Sequence, residues 1–91
     1  MASPVLAQLM PLKQVLLLAQ RCFEGGSPSS CQIVLDRAED LHRRAAELEA
    51  YPCQTILLGL QADVVMQQLG QGRADRAQAD LQVIARGCAG L

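Results

Sequence analysis

Six residues have the chemistry to do something other than pack or dissolve: the lone imidazole of His42, the thiols of Cys22, Cys31, Cys53 and Cys88, and Asp63 inside an apolar stretch. General acid–base or nucleophilic catalysis needs a base within reach of a nucleophile, and histidine is the usual base. His42 lies between Leu41 and Arg43, and its neighbours one helical turn away are Ala38, Glu39, Ala45 and Ala46. No pocket of converging polar groups can be assembled around it. It reads as a side chain near the solvent edge of a helix, and the chain reads as a protein that is not an enzyme. Asp63 would have a raised pKa if buried; beside a row of glutamines it reads more simply as solvent exposed.

The cysteines are not grouped as C-x-x-C pairs, and a zinc site would need ligands from four separate segments. An even count in a short chain supports disulfides in a secreted context. Met1–Met10 carries no basic residue, and the apolar run Val15–Ala19 is five residues long. That is short of a secretory core and far short of the roughly 20 apolar residues of a membrane span. The expectation is a cytoplasmic protein whose thiols are small, buried, apolar side chains. Cys22 and Cys31, which flank Gly25-Gly26, are the pair to test if the compartment is oxidising. Gly70-Gln71-Gly72 lacks the preceding strand, lysine and hydroxyl positions of a phosphate loop and reads as a turn. Neither a cofactor nor a metal is expected.

Composition narrows the class further. The chain has 91 residues, 51% hydrophobic, 19% charged and 2% aromatic, with a net charge of -1. Eight basic residues against nine acidic ones leave no electrostatic footprint for a phosphate backbone, and one Phe with one Tyr cannot stack bases. Nucleic acid is therefore excluded as a partner. High hydrophobicity with low net charge is the opposite of the disordered signature. A chain this short makes one domain, residues 1–91, and hides only about 60 to 65% of its unfolded surface.

The elements follow from glycine and proline punctuation. Ser3-Pro4 is a capping signal, but Pro11 interrupts it, so residues 1–10 read as a loosely ordered segment. From Pro11, Leu12, Val15, Leu16, Ala19 and Phe23 recur at helical steps until Gly25-Gly26. Ser27-Pro28 opens a second helix with a heptad seam of Val34, Ala38, Leu41, Ala45 and Leu48, and with Glu39–Arg43 and Asp40–Arg44 spaced for ion pairs. Tyr51-Pro52 reads as a break. The third helix, about Cys53 to Leu69, is apolar nearly all round, which predicts a buried helix. Gly59 in its middle suggests close approach of another backbone. A fourth helix, about Arg73 to Arg86, carries Ala74, Ala77, Leu81 and Ile84, with Cys88 following in step. The fold class is all-α, a small bundle of about four helices built from antiparallel hairpins.

Three amphipathic neighbours with small seam residues give a core that hardly exceeds the ordering entropy. The expectation is an apolar groove left open, lined by Leu57, Leu60 and Val64 of the third helix and the Leu17/Leu18 edge of the first. Gln61 and Gln68, with Gln54, form a glutamine stripe that either faces water or sets the register of a partner helix. On this reading the protein is a chaperone or adaptor that binds an apolar helix of another protein. The alternative is a structural homo-oligomer pairing through the seams of helices two and four.

The hairpin Cys53–Arg86, with Gly70-Gln71-Gly72 as its turn and Ala77 as a small residue in its second helix, is similar to a tetratricopeptide-like hairpin. It resembles the small helical chaperones of bacterial type III secretion. That resemblance implies a cytoplasmic protein whose groove holds an aggregation-prone helical subunit until export.

Overall fold

The computed structural model describes residues 11–25 and 28–91, which form four α-helices and no strand. These are α1 (Leu12–Phe23), α2 (Pro28–Glu47), α3 (Tyr51–Gln68) and α4 (Ala74–Gly87). The all-α bundle is therefore as expected. The capping signals at Ser3 and Ser27 and the loosely ordered start lie outside the described residues.

Each boundary has a local cause. The Pro11 carbonyl accepts from the amides of Gln14 and Val15 at 3.0 and 3.2 Å and opens α1. Two helices close with the same backbone motif, in which a left-handed residue lets its own amide and the next one turn back onto the last carbonyls. After α3 that residue is Gly70 at φ 74°, with Gly70 N–H to Gln67 O at 3.0 Å and Gln71 N–H to Met66 O at 2.9 Å. After α2 it is Glu49 at φ 57°, with Ala50 N–H to Ala45 O at 2.8 Å. Tyr51-Pro52 is not a break. Proline lacks the amide that the first turn leaves unpaired anyway, so Pro52 starts α3 instead of stopping it.

The short connections make α2–α3 and α3–α4 antiparallel hairpins. α1 packs on α2, α3 and α4, so the chain closes on itself, whereas α2 and α4 do not touch. The shortest extent of the molecule is 17 Å, which holds two helix layers at the usual spacing of about 8–10 Å. A body two helices thick cannot surround any of its helices.

The core explains the seams. Val34, Ala38, Leu41 and Ala45 of α2 are buried against Val15 and Ala19 of α1 and Leu57, Leu60 and Val64 of α3. Ala77, Leu81 and Ile84 of α4 close the other side. Only Leu48 and Ala74 of the two expected pairing seams stay exposed, so those seams are used within the chain and are not free to join copies.

All four cysteines are buried, as expected, but none is a free thiol. Cys22 pairs with Cys31, joining the end of α1 to the start of α2, and Cys53 pairs with Cys88, joining the start of α3 to the segment after α4. The antiparallel course puts these two disulfides at opposite ends of the bundle. The second pair was not legible from spacing, because 35 residues separate its members.

Candidate functional site

Helix α3 has two apolar faces pointing in opposite directions. At 100° per residue, Cys53, Leu57, Leu60 and Val64 share one side, and all are at most 2% exposed. The groove expected on Leu57, Leu60 and Val64 is therefore not there. These side chains are the centre of the core, reached by α1, α2 and α4 together.

On the opposite side Tyr51, Thr55, Leu58, Ala62, Val65 and Leu69 recur at alternating steps of four and three, and every one is exposed. Leu48, 62% exposed in the preceding turn, extends the row by one more step. Tyr51, Leu58 and Leu69 are 59%, 51% and 64% exposed, and Val65 and the adjoining Met66 are close to 40%. The row contains no charged residue. Of its two hydroxyls, on Tyr51 and Thr55, the latter already donates to the Tyr51 carbonyl at 3.1 Å. An uncharged apolar heptad row on the surface has the composition of an interface core. Sequence periodicity contained this row, but a helix read as buried on all sides conceals which of its two stripes faces in.

One edge of the row opens into a cleft of about 350 Å³ between α3 and α4, where Gly59, Ala62 and Met66 face Ala77 and Asp80. Gly59 has open space where a Cβ would stand, with nothing beyond its own helical turns within 4 Å. The close approach expected at Gly59 is thus not made inside the chain. Asp63 sits deeper in the cleft, half-buried, with Oδ2 enclosed and unpartnered. Burial raises its pKa, the neighbouring carboxyl of Asp80 raises it further, and Arg76 lowers it, leaving it at about 6. Asp63 is therefore not the plain surface carboxylate that the glutamine row suggested.

The other edge of the row runs toward α2. Gln54 and Gln61 are half-buried there, and Gln68 donates from Nε2 to Gln32 Oε1 of α2 at 3.4 Å. The glutamine stripe lies along the α2–α3 seam within the chain. Leu17 and Leu18 are on another face. Leu17, 54% exposed, forms a shallow apolar depression with Leu12, Leu16, Leu81 and Ala85 of α1 and α4, and Leu18 packs partly on the core.

The remaining chemical candidates are scattered. His42 is half-buried on α2, with Nε2 enclosed and lacking a hydrogen-bond partner, and so is not the solvent-edge side chain expected. Among the described residues no three His, Cys, Asp or Glu side chains converge as metal ligands. Arg43 reaches Asp40 at 3.1 Å and Glu39 at 3.9 Å, an exposed ladder on α2. Among the described residues no helix is long and apolar enough to cross a membrane. Neither a protein family, nor a curated protein, nor a solved structure matches this chain.

Proposed function

We propose that the protein is a non-enzymatic adaptor or chaperone that binds an apolar helix of another protein along the outer face of α3. The observation that carries this reading is the exposed, uncharged heptad row of Tyr51, Leu58, Ala62, Val65 and Leu69. A helix with apolar residues at the same spacing lays its own row into such a face. The small residues Gly59 and Ala62 at mid-row let a second backbone come close.

Service to a subunit of a bacterial type III secretion system is the more specific form of this proposal, supported by the α3–α4 hairpin. That form implies the cytoplasm. The pairing of all four cysteines instead favours an oxidising compartment, since such bonds do not persist in a reducing cytosol. The disulfides thus weigh for the helix-binding adaptor in general and against its secretion-system form.

Fluorescence anisotropy with a labelled 22-residue amphipathic peptide, leucines at its heptad a and d positions, tests the reading. Wild-type protein should bind with a Kd on the order of micromolar, and Leu58→Asp and Val65→Asp should each weaken it at least about tenfold, as a buried charge at an interface centre does. Equal binding by wild type and both variants contradicts the proposal.

A further inference from the structure

Resting on the reading of the outer α3 face as a helix-binding surface, we infer that when no client is present this face is covered by a second copy of the chain, the two α3 helices lying antiparallel about a two-fold axis near residue 60. Three observations select this occupant.

The first is register. A two-fold near residue 60 places Tyr51 opposite Leu69 of the second copy, Thr55 opposite Val65, and Leu58 opposite Ala62. Large side chains thus meet small ones at the middle, as an isologous interface requires of a self-complementary row. Gly59 flanks the axis. A mid-helix glycine is unfavourable in an exposed helix, and nothing beyond its own helical turns fills the space at its Cβ position. A second backbone crossing there uses that space.

The second is charge. Glu47 and Glu49 are exposed just before α3, beside Arg44 and, from the end of α4, Arg86, and the exposed Arg73 and Arg76 stand with Asp75 at the other end. Antiparallel pairing brings Glu47 and Glu49 of one copy toward Arg73 and Arg76 of the other, twice. Parallel pairing sets like against like. Glu49 also holds a left-handed backbone position where glycine is usual, which keeps a carboxylate at this end at some cost to the fold.

The third is area. Covering the six large side chains Leu48, Tyr51, Leu58, Val65, Met66 and Leu69, each 40% to 64% exposed, removes roughly 600 Å² per copy, close to the ~800 Å² per partner of a standard interface. Client and second copy then compete for one face.

Sedimentation equilibrium of the non-reduced full chain should give twice the 9.8 kDa chain mass at micromolar concentration, and Val65→Asp should raise the dissociation constant at least about 100-fold. Orientation is read by mixing equal amounts of Thr55→Cys and Val65→Cys chains and adding a short bis-maleimide, the native cysteines being paired and unreactive. Cross-links between the two different chains support the antiparallel dimer; Thr55→Cys chains linked to each other overturn it. A monomer up to about 100 µM, or a dimer indifferent to Val65→Asp, also overturns the inference. If that monomer binds the labelled heptad peptide, the proposed function stands without the dimer. If the antiparallel dimer forms and the peptide never competes with it, the dimer stands and the proposed function fails.

Discussion

Glu49 shows how one residue can be at odds with its position. At φ 57° it closes α2 in a conformation that costs an L side chain about 1 kcal/mol and a glycine almost nothing. Glu49→Gly should raise the unfolding free energy by about 0.5–1 kcal/mol in urea, while weakening any association that uses its carboxylate. Gly72 is the converse case. A Cβ there would stand 3.0 Å from the Gln67 Cα and 3.2 Å from its amide nitrogen, both backbone atoms that cannot swing aside. Gly72→Ala should destabilise by about 1–3 kcal/mol, the usual range for overpacking. Asp63 sets a pH dependence. Its pKa is raised from 3.8 to about 6 in the folded chain, so between those values the folded state holds a proton that the unfolded state has lost. This group's contribution therefore favours folding as the pH falls through 6 and opposes it above. Urea titrations at pH 5 and pH 7 should show that Asp63→Asn stabilises at pH 7 and removes this component of the pH dependence, with Asp80 and Arg76 left in place.

At the scale of elements, α3 is the one helix with two apolar faces, and it alone serves both the core and the surface row. Leu60→Ala, on the inner face, should cost about 2–5 kcal/mol, since the surrounding core cannot fully collapse into the space. Periodicity placed α1, α2 and α4 nearly to the residue, because each has one apolar stripe and therefore one way to pack. The same logic is silent on α3. Its two stripes, Leu57/Leu60/Val64 and Leu58/Val65/Leu69, have the same spacing and similar side chains, and only the number of neighbours decides which turns inward. With α1, α2 and α4 all gathered on one side, the first stripe became core and the second stayed at the surface. The functional expectation of a leftover apolar face therefore named the wrong residues for a physical reason. Gln68, exposed to water as one of its two readings had it, also borders the α2–α3 seam through its contact with Gln32. Pro52 was ambiguous on chemistry alone, because proline both ends helices and begins them.

The whole molecule is a flat, two-layered bundle fastened at both ends. Constraint of the unfolded chain by a disulfide grows with the loop it closes, roughly 3 kcal/mol for the short Cys22–Cys31 loop and roughly 4 kcal/mol for Cys53–Cys88. For a chain of this size that is a large share of a typical stability. Reduction should lower the urea midpoint markedly, and removing Cys53–Cys88 alone should do more than removing Cys22–Cys31 alone. The bonds also supply what the small seams of α2 and α4 do not, which is stability without bulk, and so leave the outer face of α3 free of any duty in folding. That separation of folding face from binding face is the central claim. It is tested most directly by measuring urea unfolding and association of Val65→Asp side by side, in non-reducing buffer. At concentrations below those at which copies pair, so that association adds nothing to wild-type stability, the unfolding free energy should lie within about 0.5 kcal/mol of wild type, as at ordinary surface positions, together with loss of binding to the heptad peptide. A variant that unfolds, or one that binds as wild type does, would contradict it.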